Sequence, residues 1–275
     1  MPRPCFPERS VNRAGALLAG VTLTFFLVGC GEGGKDGVPT GPGDGDWRKA
    51  FTEGGTGVTC EMTFDEIAGT GAPSIASGDT TIFVGFQQYG NNQDPVFFRF
   101  DGGQKVYCEH HEKESPDGRA LGITWDGGPE AYVVYTVTGG GTAFDDLAKG
   151  GWIDHYGDGG NSSAVAVIAA VETQWGTVQR ATFVPAKRQN GTKTNTLRPA
   201  DAITVLEDGT LEMVGESAFA PLNPDKSVMC IPDMEYPAPL DGADGPSYLA
   251  RFEADLSGVI CASTAGCSLV NTPCE

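Results

Sequence analysis

The sequence has 275 residues, of which 40% are hydrophobic, so the chain can bury a packed core and is not disordered throughout. Acidic residues outnumber basic residues by 36 to 18, and a formal net charge of −18 would repel phosphate backbones, which argues against direct nucleic-acid binding. The 40 glycines, many of them in Asp-Gly pairs, predict tight turns between many short strands.

Residues 1–29 have the layout of a secretory signal peptide. Arg3, Arg9 and Arg13 precede or flank the start of an uncharged apolar stretch, which is shorter than the roughly 20 residues of a comfortable membrane span. The stretch ends in Leu27-Val28-Gly29-Cys30, which resembles the lipobox of bacterial lipoproteins. The resemblance implies that cleavage precedes Cys30 and that a diacylglycerol is attached to its thiol. An ordinary signal peptide followed by a chance cysteine is the alternative.

Residues 30–46 form the predicted lipidated cysteine and its tether. The segment is rich in glycine, proline and charged residues, and Val38 is its one aliphatic side chain, so it cannot bury a core. Sixteen flexible residues span roughly 20 to 25 Å, which would hold the folded part just off a bilayer. Gly31 stands where an aspartate commonly signals inner-membrane retention in lipoproteins. The resemblance therefore favours the outer membrane, with either a periplasmic or a surface-exposed position.

The sequence pattern of residues 47–275 predicts a single all-β domain with internal hairpin repeats. A strand that ends in an Asp-Gly turn is followed by a second strand at 120–137 and at 202–214, and 75–86 is a third copy with Gly78-Asp79 as its turn. Another hairpin follows each copy. Short helical turns are expected at 143–147 and 64–67. The strands of the second hairpins are 95–100 with 105–108, 165–170 with 178–184, and 247–252 with 258–261.

The repeat around Phe98-Arg99-Phe100-Asp101 resembles the β-propeller repeats of exported bacterial proteins, over roughly residues 72–262. The resemblance implies a propeller-like array of four-stranded antiparallel units. Three units can be counted, whereas propellers usually have four to eight blades. Further blades within 142–160 and 221–239 are one possibility, and a β-sandwich or barrel is the alternative architecture.

The cysteines of the predicted mature domain support export. An even number of cysteines in an exported chain predicts disulfides. A zinc site is not favoured, because no two of these cysteines have the C-x-x-C spacing that is common in zinc sites. Cys108 and Cys261 occupy matching strands and are expected in different bridges. Cys60 is the natural partner of Cys108, whereas Cys267 and Cys274 are candidates for both Cys261 and Cys230. The six cysteines are Cys60, Cys108, Cys230, Cys261, Cys267 and Cys274.

His155 is the candidate general base or metal ligand, because Asp154 and Asp158 flank it in a glycine-rich segment. A solvated surface turn is the alternative interpretation. His110 and His111 are neighbours on a predicted strand and would face opposite sides of the sheet. The acidic loops 154–158 and 241–245 offer oxygen ligands for Ca²⁺, but neither fits an EF-hand, and the sequence predicts no metal site or other cofactor.

Together these features favour a lipid-anchored, exported β protein that acts as a non-catalytic binding or scaffold platform at the cell envelope. Its expected partners are the membrane, through the lipid, and a protein or envelope polymer. The alternative is an envelope or extracellular hydrolase with a site around His155. A hydrolase would hold His155 in a concave site with converging polar groups, whereas a platform would leave it in an open turn.

Overall fold

A computed structural model describes the chain in segments that begin after the tether. Cys30, residues 1–29 and all but the last residue of the tether lie outside the described residues, as do Asp158 and the loop 241–245. The described residues are 46–111, 117–138, 143–155, 164–187, 193–194, 197–217, 219–230 and 247–275.

The described residues form a mostly β structure, as predicted, with two short helices among them. α1 (Phe64–Gly69) and α2 (Ala143–Leu147) lie where helical turns were expected. Within the described segments no helix has the length and apolar character to cross a membrane. The strands are β1 (Arg48–Phe51), β2 (Ser74–Ser77), β3 (Thr80–Tyr89), β4 (Asn92–Asp101), β5 (Gln104–His110), β6 (Gly118–Trp125), β7 (Glu130–Thr138), β8 (Ala164–Glu172), β9 (Thr177–Val184), β10 (Ala186–Lys187), β11 (Lys193–Thr194), β12 (Leu197–Pro199), β13 (Thr204–Val205), β14 (Leu211–Ser217), β15 (Ser247–Phe252) and β16 (Val259–Thr264).

The strands pair as three antiparallel units of four, which confirms the predicted hairpins. The first unit is β2 to β5, the second is β6 to β9, and the third is β13 to β16. In every unit a glycine with positive φ lies in the first turn: Gly78, Gly127 and Gly209 have φ of 57°, 96° and 81°. Only glycine adopts this conformation readily, and the Asp-Gly signal in the sequence therefore marks real turns.

The units belong to two sheets. The first unit is a separate four-stranded sheet, whereas the second and third are joined in a ten-stranded sheet. The junction is β12, which pairs antiparallel with β14 and meets β8 in parallel at Leu197 and Val165. At its far edge β1 extends the same sheet by pairing with β6. The described parts of 142–160 and 221–239 contain α2 and an isolated bridge between Leu222 and Val228 rather than a further four-stranded unit.

Each unit carries a β-bulge at the same place in the pairing of its last two strands. The register shifts directly after Arg99, Ala170 and Arg251. In the first and third units the residue before the shift is itself an arginine, and in the second unit its cross-strand partner is Arg180. An arginine therefore lies beside the bulge in all three units. A bulge bends and twists its strand locally, so the three outer hairpins share one shape as well as one sequence pattern.

These arginines also join successive units. Arg99 donates to the backbone carbonyl of Thr173 at 3.1 Å, and Arg180 donates to that of Ala254 at 3.3 Å. Each acceptor lies two residues beyond the bulge of the following unit. The same contact therefore links the first unit to the second and the second to the third.

The first unit buries both of its faces. Ile82, Val84 and Phe97 alternate with Phe83 and Phe98 along β3 and β4, as the two-residue period of a strand requires. The first set joins the main core against β6, and the second set forms a smaller cluster beneath α1. Helix α1 begins with a capping box, in which Thr63 and Glu66 satisfy each other's backbone N–H groups.

Three disulfides form, as predicted for an exported chain. Cys60 bonds to Cys108, and Cys108 and Cys261 lie in different bridges, which confirms both expectations. The C-terminal cysteines settle the open alternatives. The remaining bridges are Cys230–Cys267 and Cys261–Cys274.

Candidate functional site

His155 lies on the surface of the molecule. Its side chain is 63% exposed, and its Nδ1 atom is 3.2 Å from a carboxylate oxygen of Asp145, in α2. Asp154 is also exposed. The predicted histidine thus has a carboxylate neighbour, Asp145, and a mostly exposed side chain.

The two neighbouring histidines face opposite sides of the first unit, as predicted. His110 Nε2 is 3.2 Å from the sulfur of Cys60, and the ligand atoms of His110, Cys60 and Cys108 lie within 4.8 Å of one another. Both sulfurs belong to a disulfide, and metals bind the thiolate rather than a disulfide sulfur. In this state the group offers a metal one imidazole instead of three ligands.

His111 is buried between the first and second units and is held neutral. Its Nε2–H donates to the carbonyl of Gly176 at 2.8 Å, which leaves Nδ1 to accept from the hydroxyl of Tyr135 at 2.6 Å. Burial lowers the pKa of His111 from 6.5 to about 4, and the hydrogen bond to Gly176 offsets only part of this shift. The imidazole is therefore a structural link rather than a base that works near neutral pH.

The neutral state of His111 predicts a loss of stability in acid. Between pH 6.5 and 4 the unfolded chain binds a proton at this histidine and the folded chain does not, so the free energy of unfolding falls as the pH falls. The shift corresponds to about 3 kcal/mol. In urea denaturation at pH 7 and pH 4, the advantage of wild type over His111→Gln should shrink by about this amount. An advantage that stays constant with pH would contradict the prediction.

A pocket of about 440 Å³ lies at the end of the molecule where the second strand of each unit stops. The first unit contributes Gln93, at the start of β4, and the second contributes Thr136 and Thr138, at the end of β7. Glu216, at the end of β14, belongs to the third unit. The contacts of Arg99 and Arg180 with the following units lie at the opposite ends of the strands. The pocket therefore lies at the end of the fold that these contacts do not occupy.

One wall of the pocket is a connected polar network centred on Arg119. The guanidinium donates to the side-chain oxygen of Gln93 and, at 3.0 Å, to the carbonyl of Gly54. It also lies over the ring of Phe86, 4.9 Å from the ring centroid. Asp117 holds Gln93 in turn, because its carboxylate accepts from the backbone N–H of Gln93 at 2.9 Å. The wall is fixed before any ligand binds.

The opposite wall is less constrained. Arg198 and Glu216 are cross-strand partners on β12 and β14. Both residues are exposed, and both line the pocket. Across the described part of the chain, neither side chain has an ion pair or hydrogen bond. The floor between the walls follows from the strand register: Thr136 pairs with both Arg119 and Ala166, so these three side chains share one face.

Compared with known proteins, the chain matches no family model, no curated protein and no solved structure.

The pocket was not predicted from the sequence. Its arginines belong to strands about 80 residues apart, and no short motif links them. The signal that could have indicated the pocket is the pair of Arg119, near the start of β6, and Arg198, in the middle of β12, since charged side chains are uncommon in strands that are otherwise buried. Among the tryptophans, Trp125 and Trp152 are buried in the core, whereas Trp175 is 63% exposed at a hairpin tip.

Proposed function

We propose that this chain is a lipid-anchored, exported protein that serves as a non-catalytic binding platform at the cell envelope. The observation that carries the proposal is the pocket: it is built by all three units at one end of the fold, and it is separate from the exposed pair of His155 and Asp145. Ligand contacts made at one end of a rigid β scaffold are the usual arrangement in binding platforms.

The anchor rests on Cys30 and the sequence around it. The apolar stretch before Cys30, the lipobox-like ending and the flexible tether agree with one another. Three disulfides in the folded part fit an oxidising compartment outside the cytoplasm. Gly31 in place of aspartate favours the outer membrane as the site of anchoring.

The proposal includes a propeller-like arrangement of the three four-stranded units. Successive blades of a propeller are related by one repeated rotation, and the contacts of Arg99 with Thr173 and of Arg180 with Ala254 repeat in the same way. The pocket then corresponds to the space that the units surround at one end. The continuous ten-stranded sheet through β12 is a departure from separate blades.

Changing Cys30→Ala is expected to move the protein from the membrane fraction to the soluble fraction, because the diacylglycerol is attached through this thiol. Cys5→Ala is the matched control, since Cys5 lies in the segment that is removed, and it should leave the protein in the membrane fraction. Fractionation with immunoblotting gives the distribution, and intact mass of the membrane form gives the lipid. An unmodified Cys30 in the membrane fraction would refute the anchor.

Binding and hydrolysis can be distinguished by measuring both the retention of the protein on a polysaccharide and the length of that polysaccharide. The full chain should be retained on immobilised envelope polysaccharide, and the length of the polysaccharide should not change. His155→Ala should be retained equally well, because His155 lies outside the pocket. Shortening of the polymer by wild type but not by His155→Ala would support the hydrolase instead.

A further inference from the structure

We infer that the pocket between the three units binds a small hydroxylated carboxylate, the chemistry of a uronic acid residue in an acidic polysaccharide. The inference rests on the proposed binding function and names the ligand class of that same site. It follows from the charge state, the fixed geometry and the size of the pocket.

The two arginines of the pocket differ from three of the other four described arginines; the fourth, Arg48 on β1, also lacks an ion pair with a described residue, and its guanidinium donates to the backbone carbonyl of Ala76. Arg99, Arg180 and Arg251 each form an ion pair with a carboxylate. Arg119 and Arg198 form none with any described residue, although the chain carries twice as many acidic as basic residues. Neither guanidinium is neutralised by an ion pair with a described residue, although Glu53, Asp117 and Glu216 also line the cavity, so both guanidinium groups remain available to an anionic ligand.

Arg119 is positioned to recognise a planar anion. Its acceptors, the side-chain oxygen of Gln93 and the carbonyl of Gly54, are neutral, so they orient the guanidinium without cancelling its charge. The contact of the guanidinium with the ring of Phe86 further restricts its position. A carboxylate matches this planar set of donors and can accept two hydrogen bonds from it.

The rest of the lining favours a ligand with hydroxyl groups over a simple or highly charged anion. Glu53 and Glu216 can accept hydrogen bonds from hydroxyl groups, and Thr136 and Thr138 can donate and accept. The same carboxylates would repel a phosphate that carries two negative charges. A single carboxylate surrounded by hydroxyls satisfies both kinds of side chain.

The dimensions fit one sugar ring. The volume of about 440 Å³ lies in the range of small-molecule sites, about 300 to 1,000 Å³. Between Arg119 and Arg198 the sheet has three strand spacings, β6 to β7 to β8 to β12, which places the two backbones about 14 Å apart. Long side chains that reach inward from both ends can therefore contact a ligand held over the short side chains between them.

Titration calorimetry with the full chain tests the inference with three probes: galacturonate, its neutral counterpart galactose, and acetate. Galacturonate should bind at least tenfold more tightly than either of the others. Equal binding of galactose would show that the arginines contribute nothing, and equal binding of acetate would show an anion site without hydroxyl recognition. Either result, or no binding of galacturonate, would overturn the inference.

Arg198→Gln should weaken galacturonate binding by about tenfold or more, since it removes charge-assisted hydrogen bonds. Arg198→Lys should be intermediate, because it keeps the charge but loses the planar donors. Lys149→Gln removes one positive charge from an exposed residue paired with Asp146, outside the pocket lining, and should bind as wild type does. Thr136→Val is a second pocket variant, expected to weaken binding of galacturonate more than of acetate.

The outcome separates the ligand class from the proposed function. Retention on an immobilised neutral envelope polysaccharide together with no binding of galacturonate would overturn the ligand class alone. Failure of the protein to be retained on any envelope polysaccharide, neutral or acidic, would count against the binding function itself. Unchanged affinity of Arg198→Gln for galacturonate would move the site away from this pocket.

Discussion

Phe97→Ala is expected to lower the free energy of unfolding by about 4 kcal/mol, the largest loss from a single core substitution in the first unit. The ring of Phe97 is fully buried and belongs to the main core, although the strand that carries it lies in the other sheet. It stacks with Tyr107 at 6.3 Å between centroids and lies 5.6 Å from the ring of His111. Removing it leaves a cavity where the two sheets meet.

Chemical denaturation of Phe97→Ala beside Val106→Ala tests this expectation. Val106 is 50% exposed on the neighbouring strand β5, so its truncation should change the free energy by about 0.5 kcal/mol or less. Similar small losses in both variants would mean that the interface between the sheets adds little to stability.

Replacing Cys60 and Cys108 together by alanine is expected to cost about 4 kcal/mol. The bridge spans 48 residues, and a cross-link of that length restricts the unfolded chain strongly. The Cys261–Cys274 bridge spans 13 residues, so its double alanine variant should lose only about 3 kcal/mol. Non-reducing peptide mapping of each variant first confirms that the other bridges are intact.

The two double variants are compared by denaturant unfolding under non-reducing conditions. The longer loop should give the larger loss. The reverse order would show that local contacts near Cys261 and Cys274, rather than loop length, determine what a bridge contributes.

Local signals in the sequence were sufficient for most of the fold. The Asp-Gly turns located the first hairpin of each unit, and the alternating apolar residues located the strands. The pairing of Cys60 with Cys108 followed from the position of Cys60 just before the first repeat. These features depend on neighbours in the chain, so a single sequence carries them.

Features that depend on distant residues were not accessible in this way. β12 is three residues long, yet it joins two units into one sheet, and nothing in its composition indicates that role. Asp145, in α2, lies beside His155 although the two are ten positions apart in the sequence, a contact that the local sequence around His155 does not indicate. The pocket needs strands from all three units, and their approach is decided by packing rather than by any local pattern.

The positions of two disulfides bear on how the protein avoids self-association. β5 and β16 are the last strands of their sheets, and each carries one cysteine of a bridge, Cys108 or Cys261. An open edge offers unpaired N–H and C=O groups to the strands of another molecule. The chain near Cys274 covers one edge, where the N–H of Ala262 donates to the carbonyl of Thr272 at 2.9 Å.

At the other edge, the bridge holds the segment around Cys60 beside β5, and Lys105 on that strand donates to the carbonyl of Cys60. The Cys261–Cys274 bridge thus fastens a short irregular segment along the edge of β16, whereas the Cys60–Cys108 bridge attaches its segment to β5 through side chains. Reduction would release the segment that lies along β16 and expose this edge. A reducing environment would therefore favour edge-to-edge pairing between copies of this protein as well as lower its stability.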